Sequence, residues 1–540
     1  MKQISFPNGK TRTLLLMAFV LAMILSSLPM AGADSFKVNV SVDTEKATTF
    51  MSSVAVGIQT NISDGNLMTP DTVKAVRVGG VTALRYPGGA VSSVYHWSTN
   101  TQTNWQGTDK PNFSIPPANH FGNFIALLNQ TGAQAIITVN YGSNLAGTGG
   151  GEPAEAAAWV AYANGDPNDP KIIGKDSTGY DWKTVGYWAA IRTSEPLATD
   201  DGFNFLRVAH PRPLHITYWE VGSEVYANGY YGLKHKDGGS IQDLHFKYSG
   251  SKGDSEKIRS GNRALGPTAY GEYFAQFANA MKAVDPSIKI GAVLVGPKDN
   301  SWAPDWNSNV LKTAGRAADF LILPWQPSPL LPPDWKEMDV PSLLNVPTDE
   351  LPISPLLLDA IQKHCGPTVQ IAIADFRLGW GSIKDPVVRG LFTADAFLAL
   401  VEAGFVNANW AELHDGYLND KNEPTPAFFG MLMARVLMMP RDFVVTSTSN
   451  KKVVAAHAVK RADGSFAMML VNKDPKESAV VNVNIKGIQL SKSGMRFDYG
   501  PSNPPNGTAV ARAPVNDVGN TFTVVVPAYS ITDVRIPKAQ

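Results

Sequence analysis

Short apolar runs alternate with amphipathic stretches over most of this chain. Eight runs rich in β-branched residues predict strands, and helical periodicity recurs between them. The predicted strands are 55–60, 82–86, 134–140, 215–221, 288–295, 318–325, 369–375 and 405–413. The predicted helices include 119–130, 155–164, 269–283, 356–364 and 390–403, and Thr69-Pro70 is a typical helix start. Eight alternating β and α units predict an α/β fold, a (β/α)8 TIM barrel.

The pattern changes after about residue 440, where shorter β-rich runs follow one another. They lie at 452–460, 466–471, 479–485 and 521–536, and they predict an accessory C-terminal β-sandwich domain over residues 441–540. The barrel then spans residues 34–440. The alternating stretch Phe36–Val42 is a further strand, and we leave open whether 34–50 belongs to the sandwich. Segments 234–260, 302–306 and 326–348 are predicted to be loop insertions.

Residues 1–33 have the sequence of a secretory signal peptide. Lys2, Lys10 and Arg12 precede an apolar run from Leu14 to Leu28, and Ala31-Gly32-Ala33 supplies the small residues of a cleavage site. No later apolar stretch is long enough to cross a bilayer. We therefore expect a secreted or periplasmic protein with no membrane contact after signal cleavage.

The amino-acid composition indicates which kinds of molecule this protein binds. Basic and acidic residues balance at 47 each and the basic ones are scattered, which argues against nucleic acid as a partner. The sequence has one cysteine, nine dispersed histidines and no metal-binding motif, so we expect neither a metal nor a cofactor. Twelve tryptophans and sixteen tyrosines suit an oligosaccharide or polysaccharide substrate, although a single aromatic residue is more often part of the core.

Two carboxylates stand at the ends of predicted strands. Glu224 closely follows the fourth strand, and Asp375 ends the seventh. The carboxyl ends of parallel strands meet at one end of a barrel, which is where TIM-barrel active sites lie. Such a pair indicates glycoside hydrolysis, in which one group protonates the leaving oxygen while the other attacks the anomeric carbon or activates water. Helix capping or pairing with arginine is the alternative role for each acid.

Several stretches resemble the clan A glycoside hydrolases, especially the α-L-arabinofuranosidase group. Leu84-Arg85-Tyr86-Pro87-Gly88-Gly89, followed by Tyr95-His96-Trp97, is similar to that group's second-strand signature. Trp219 to Glu224 is similar to its acid/base motif, and Asn140-Tyr141-Gly142 with the stretch 155–164 is similar to its third strand and helix. The resemblance implies that Glu224 is the general acid/base and that Asp375 is the nucleophile.

This chain departs from the family pattern at three places. Ser223 stands where the family usually has Asn, Asp375 stands where it usually has Glu, and the sixth strand lacks the family's His. Aspartate is shorter than glutamate by one methylene, about 1.5 Å. This leaves both a retaining and an inverting geometry open. The alternative function is a non-catalytic carbohydrate-binding protein on a degenerate hydrolase barrel.

Further residues are candidates for substrate binding. Glu220 is predicted to pair with Arg85, either to orient the site or as a purely structural ion pair. Glu412, at the end of the eighth strand, is a candidate ligand of a sugar hydroxyl or a substitute nucleophile. Tyr226 either lines the cleft or packs beneath it. The remaining candidates are Asn140, Ser223, Trp325 and Trp410.

Overall fold

The computed structural model describes most of the chain after residue 33. The described residues are 34–104, 114–231, 243–246, 263–296, 303–326, 339–378, 383, 385–414, 416–502 and 507–539. The predicted signal peptide and most of the predicted insertion 234–260 lie outside them. Within the described ranges, no helix has the length and apolar character needed to cross a membrane.

The strands and helices follow the alternation that the sequence predicts. In chain order the strands are β1 (Ser35–Phe50), β2 (Val56–Gln59), β3 (Ala83–Tyr86), β4 (Tyr95–His96), β5 (Thr101–Gln102), β6 (Gln134–Val139), β7 (Tyr218–Val221), β8 (Lys289–Val293), β9 (Phe320–Trp325), β10 (Gln370–Phe376), β11 (Asn407–Ala411), β12 (Phe443–Ser449), β13 (Val454–Lys460), β14 (Phe466–Asn472), β15 (Ser478–Lys486), β16 (Ser493–Tyr499), β17 (Ala511–Asn516), β18 (Thr521–Val526) and β19 (Ser530–Ile536). The described α-helices are Pro70–Gly79, Phe121–Thr131, Pro153–Asn164, Val185–Thr193, Pro267–Val284, Trp306–Ala314, Val340–Asp349, Pro355–Cys365, Val387–Glu402 and Pro426–Leu437.

Eight parallel strands close into a barrel, which confirms the predicted TIM-barrel fold. Around the barrel the order is β2-β3-β6-β7-β8-β9-β10-β11, and β11 pairs with β2. Every residue of β2, β3, β7, β9 and β11 is buried. Strands that are covered on both faces are mostly apolar, and the buried polar residues Arg85 and Glu220 pair with each other.

The first helix of the barrel illustrates how local sequence sets an element's ends. The Thr69 side chain accepts a hydrogen bond from the Thr72 backbone N–H at 3.4 Å, and Pro70 occupies the first helical position. The helix ends where Gly80 adopts a left-handed φ of 70°. Both ends therefore follow from the residues that the sequence analysis marked as a helix start and from the glycine beyond it.

Strands β1 and β12–β19 form a single nine-stranded sheet, the C-terminal sheet domain. The order is β17-β16-β19-β14-β13-β12-β1-β15-β18, and the sheet curls so that β18 packs against β14 and β19. The curled sheet encloses its own apolar core, which includes Val38, Val481 and Phe522. One curled sheet therefore supplies both layers of the predicted sandwich, and β1 joins it between β12 and β15.

Two details of the sequence analysis are corrected. Segment 326–348, predicted to be a loop insertion, includes most of the helix Val340–Asp349, which buries Leu343, Leu344 and Val346. The run 521–536, predicted as one strand, is the two strands β18 and β19. In segment 326–348, prolines concealed a short apolar helical repeat. In the run 521–536, the chain leaves β18 at Pro527 and Ala528 before β19 begins.

A group of buried charges joins the barrel to the C-terminal sheet. The group is called the junction cluster and consists of Asp395 and Glu402 from the helix Val387–Glu402, with His457 and Lys473 from the sheet side. The two ring nitrogens of His457 lie 2.7 Å from Glu402 Oε1 and 2.8 Å from Asp395 Oδ1. Lys473 Nζ lies 2.6 Å from Asp395 Oδ2.

The junction cluster holds His457 in its charged form. Burial alone would lower the pKa of His457, but the Glu402 and Asp395 carboxylates outweigh burial and raise that pKa to about 10. Burial would raise the pKa of Asp395, yet Lys473 and His457 together lower it. The junction is therefore ionic at neutral pH.

Candidate active site

A cavity of about 120 Å³ opens at the carboxyl end of the barrel. It brings together six of the residues that the sequence analysis singled out. Its lining consists of Gln59, Arg85, Gly89, Ala90, Ser223, Glu224, Tyr226, Val293, Ile322, Pro324, Ala374, Asp375, Arg377 and Glu412. The cavity thus lies at the end of the barrel where this fold places its chemistry.

Glu224 reaches the cavity through an unusual backbone turn. Strand β7 ends at Val221, and Gly222 follows with φ 76°. Glu224 itself is left-handed, with φ 49° and ψ 32°, and a short 3-10 helix begins at Val225. A non-glycine residue in this region carries backbone strain of about 1–3 kcal/mol, which persists only where surrounding structure holds it. The turn leaves the Glu224 side chain half-buried at the cavity wall.

Arg85 fixes the floor of the cavity through three neighbours. Its Nε donates to Glu220 Oε2 at 2.6 Å, and its Nη1 donates to Gln59 Oε1 at 2.5 Å. Its Nη2 donates to Ser223 Oγ at 3.3 Å. Thr138 also donates to Glu220 Oε2, at 2.8 Å. The predicted Arg85–Glu220 pair is confirmed, and it connects strands β2, β3 and β7 directly below Glu224.

Asp375 reaches the cavity because strand β10 carries a bulge. Residues Ile373 and Asp375 pair with Leu323 and Pro324 of β9, so that Ala374 is the extra residue. Proline has no backbone N–H, so Pro324 cannot donate to the ladder at this point. A bulge bends the strand and re-aims its side chains. Here it accompanies the placement of the Asp375 carboxylate at the cavity lining.

The two oxygens of Asp375 have different surroundings. Gln326 Nε2 donates to Oδ2 at 3.1 Å, and Arg377 Nη2 lies 3.5 Å from the same oxygen. Oδ1 is buried and accepts no hydrogen bond. A buried carboxylate oxygen with no donor is costly to maintain, so such an atom in a native structure needs a specific reason.

Glu412 also lines the cavity, and the loop that follows β2 holds its side chain. Asn61 Nδ2 donates to Glu412 Oε2 at 2.9 Å. Two residues further on, His414 contacts Asp64 Oδ2 through Nδ1 and Asn422 Oδ1 through Nε2. Burial alone would lower the pKa of His414, but the hydrogen bonds to Asp64 and Asn422 outweigh it and raise that pKa. The His414 ring therefore joins the loops after β2 and β11.

Three of the predicted substrate-binding residues do not line this cavity. Trp325 stacks on Phe376 with ring centroids 5.3 Å apart, and Trp410 meets the same ring edge-on at 5.0 Å. Asn140 Nδ2 donates to Ser143 Oγ at 3.2 Å, and Asn140 Oδ1 accepts from the Ser143 backbone N–H. These contacts support the strands and loops around the cavity.

Sequence reasoning missed three polar residues at the site. Gln59 ends β2, Gln326 follows β9 directly, and Arg377 follows β10 directly. The rule that located Glu224 and Asp375, namely a polar residue at the carboxyl end of a barrel strand, also identifies all three. No group of three or more histidine, cysteine, aspartate or glutamate side chains within the described ranges is arranged to hold a metal ion.

Comparisons with known proteins agree with this architecture. No family model matches the chain. A probable α-L-arabinofuranosidase C of Aspergillus fumigatus is 26% identical over 169 residues, which are 31% of this chain and 26% of that protein. The α-L-arabinofuranosidase C of Emericella nidulans is 25% identical over 169 residues, again 31% of this chain and 26% of that protein. The aligned region thus spans about a quarter of the length of these curated relatives.

Solved structures share the fold over nearly the whole chain. The α-L-arabinofuranosidase of Thermotoga maritima, solved with arabinose, is similar with a TM-score of 0.63 at 17% identity, covering 92% of this chain and 99% of that one. A family 51 α-L-arabinofuranosidase of Bifidobacterium longum gives a TM-score of 0.65 at 14% identity, covering 93% and 99%. A family 44 xyloglucanase of Paenibacillus polymyxa gives 0.62 at 15% identity, covering 94% and 100%. In sequence and in fold, the chain resembles the clan A glycoside hydrolases, and the α-L-arabinofuranosidases in particular.

Proposed function

We propose that this chain is a glycoside hydrolase that acts on arabinofuranosidic or related plant-polysaccharide linkages. The observation that carries the proposal is that Glu224 and Asp375 line one cavity, from strands β7 and β10. The partial sequence likeness to curated α-L-arabinofuranosidases supports the choice of sugar.

In the proposed reaction Glu224 is the acid and Asp375 is the anion. Glu224 gives its proton to the glycosidic oxygen while the bond between that oxygen and the anomeric carbon breaks, and the bonding electrons stay with the leaving oxygen. Asp375 Oδ1 either bonds to the anomeric carbon or takes a proton from an attacking water. In the first case, water then cleaves the sugar–Asp375 ester and returns a proton to Glu224. The products are the free sugar and the shortened alcohol.

The size of the cavity favours a single sugar unit. Its volume of about 120 Å³ is small compared with the roughly 300–1,000 Å³ of pockets that enclose drug-sized ligands. An extended polysaccharide needs a long groove, whereas one terminal pentose fits a small cavity. This supports the removal of terminal units, as opposed to cleavage within a chain.

The first test is sugar release from a panel of aryl glycosides that includes α-L-arabinofuranosides, β-xylosides and β-glucosides. We expect the wild-type protein to release sugar from the arabinofuranoside, and we expect Glu224→Gln to be slower by about 10²- to 10⁴-fold. Glu272→Gln is the matched control because Glu272 is an exposed residue on the helix Pro267–Val284. Oligosaccharide binding without release by any variant would overturn the proposal and favour a carbohydrate-binding protein.

We further propose that the hydrolase works outside the cytoplasm, either secreted or periplasmic. The support is the basic, apolar and small-residue order of residues 1–33. Fractionation of the native host, with the protein detected by antibody, tests the location. Retention of the full-length protein in the cytoplasm would contradict it.

A further inference from the structure

We propose that Gln326 and Arg377 are positioning residues that hold Asp375 by Oδ2 and leave Oδ1 as the reacting oxygen. This inference rests on the proposed function for its catalytic consequence. It concerns two residues that stand just beyond the carboxyl ends of β9 and β10. Gln326 acts through the Asp375 carboxylate, and Arg377 both contacts that carboxylate and lines the cavity.

The first observation is the asymmetry of the Asp375 carboxylate. Both donors approach Oδ2, with Gln326 Nε2 at 3.1 Å and Arg377 Nη2 at 3.5 Å, while Oδ1 is buried without a hydrogen bond. Two contacts on one oxygen fix the rotation of the carboxyl group. The other oxygen keeps its lone pairs for a substrate atom or water. A carboxylate with one tethered and one available oxygen is prepared for attack or for proton abstraction.

The second observation is the length of the side chain. Aspartate reaches less far than the glutamate that this type of site usually carries, so small errors in its position cost more. The bulge opposite Pro324 sets where the Asp375 backbone lies, and the pair of donors sets where its oxygens lie. The two features together give the shorter acid a defined position.

The third observation is the balance of charge around Asp375. The other charged groups that line the cavity are Arg85, Glu224, Glu412 and Arg377. Arg85 is engaged with Glu220, while Glu224 and Glu412 are carboxylates that disfavour a further negative charge nearby. Arg377 is the cation directly beside Asp375. Its positive charge therefore attracts the Asp375 carboxylate and helps to hold it in place.

This arrangement gives both side chains one task. Because both contacts reach Oδ2, loss of either lets the Asp375 carboxyl group rotate and moves Oδ1 away from the reacting atom. Substitution of Gln326 therefore lowers kcat with little change in KM, since Gln326 does not line the cavity. A residue that only stabilised the fold would lower the amount of folded enzyme and leave the kcat of the folded molecules unchanged.

The test compares Gln326→Leu, Arg377→Gln, Arg377→Lys and the control Arg316→Gln, an exposed arginine in the turn before β9. We expect Gln326→Leu to lower kcat about tenfold with little change in KM, because Asp375 loses a hydrogen bond while the cavity keeps its lining. Arg377→Gln also lowers kcat, and Arg377→Lys restores part of it because the lysine restores the positive charge beside Asp375. Arg316→Gln leaves kcat and KM unchanged.

A second measurement separates this inference from the proposed function. Crystal structures of Gln326→Leu and of the control Arg316→Gln show the orientation of the Asp375 carboxyl group without any turnover. We expect the carboxyl group to rotate away from its wild-type orientation in Gln326→Leu and to keep that orientation in Arg316→Gln. A rotated carboxyl group in a protein that releases no sugar would support the positioning contact and reject the hydrolase. An unrotated carboxyl group, or an unchanged kcat of Gln326→Leu in an active enzyme, would overturn the inference.

Discussion

Two groups of buried charge in this molecule are built from similar residues but differ in how completely they are partnered. At the cavity, Asp375 Oδ1 is buried and accepts no hydrogen bond. In the junction cluster, Asp395 Oδ1 lies 2.8 Å from His457 Nε2. Asp395 Oδ2 accepts no hydrogen bond of regular geometry either, but it lies 2.6 Å from the Lys473 ammonium group. The junction uses its charges to join the barrel to the sheet. At the cavity, Asp375 Oδ1 can still accept a hydrogen bond, because no group in the described part of the folded protein donates one to it.

The difference teaches where to look for chemistry in a fold with many buried charges. A buried ion pair is weak support for stability in itself, because its desolvation offsets much of the attraction. A carboxylate with a cation beside each oxygen, such as Asp395, is costly to separate from its partners and has no oxygen available for a ligand. An under-partnered oxygen beside an open cavity is costly to keep, and a reaction with a substrate accounts for that cost.

The largest expected effect is on activity, at Asp375. Asp375→Asn keeps the shape of the side chain and removes its charge, so we expect sugar release to fall by about 10²- to 10⁴-fold. Stability should change by less than about 1 kcal/mol, since Arg377 is 29% exposed and water can solvate it. Kinetics on an aryl arabinofuranoside and urea unfolding measure the two quantities. A large loss of stability would place Asp375 with the structural charges.

The same substitution in the junction cluster should have the opposite result. Asp395→Asn leaves Lys473, whose side chain is 3% exposed, without its anionic partner. Breaking a buried pair from one side costs about 3–5 kcal/mol. We expect that loss in urea unfolding, with kcat nearly unchanged at temperatures where the variant is folded. Unchanged stability together with lost activity would remove the distinction between the two groups.

The junction also predicts how stability depends on pH. The pKa of His457 is raised to about 10 in the folded protein, against an ordinary value of 6.5. The folded state therefore binds one more proton than the unfolded state between these values. Stability from His457 is full below pH 6.5, falls by about 1.4 kcal/mol for each pH unit above it, and is lost above pH 10.

The test is urea unfolding from pH 6 to pH 10, with the wild-type protein beside His457→Gln. The variant should be less stable at pH 6 and should show a shallower decline as pH rises. Parallel declines for the two proteins would mean that His457 does not carry the pH dependence.

The smallest expected effect is at a helix end remote from both groups. Thr69→Ala removes the side-chain cap of the helix Pro70–Gly79, which costs about 1 kcal/mol. Thermal unfolding measures the loss, and kcat should not change. A drop in activity without a drop in stability would show that this helix affects the cavity.

Much of the fold could be predicted because the barrel strands are buried on both faces. Runs such as Gln134–Val139 and Phe320–Trp325 are continuous apolar stretches that no surface helix would contain. Strands β16 and β17 were missed because most of their residues are only partly buried or exposed, so no apolar pattern marks them. β17 is an edge strand and β16 lies beside it, and neither buries enough side chains to impose an apolar pattern.

The candidate site was less predictable, because side-chain direction depends on neighbouring strands. Asp375 was found from its place at a strand end, but the bulge that accompanies its placement depends on Pro324, in another strand. The strand-end rule identifies Gln326 as a polar residue at the site, but only its contact with Asp375 shows which group it holds. Trp325 and Trp410 have the composition of sugar-binding residues and yet pack on Phe376. The sequence shows where aromatic residues occur, but packing against neighbouring residues decides whether each one faces the cavity or the core.

The most direct test of the carboxylate pair is azide rescue. Glu224→Ala and Asp375→Ala are each assayed on an aryl α-L-arabinofuranoside with and without sodium azide, and the product is identified by NMR. Azide is a small anion that can enter the space of a deleted carboxylate and attack the anomeric carbon. If the reaction passes through the sugar–Asp375 ester, we predict that azide restores aryl release and yields an arabinofuranosyl azide in both variants. If Asp375 activates water, we predict this result in Asp375→Ala alone. An active wild-type enzyme whose variants give neither rescue nor azide product would contradict the assignment of Glu224 and Asp375.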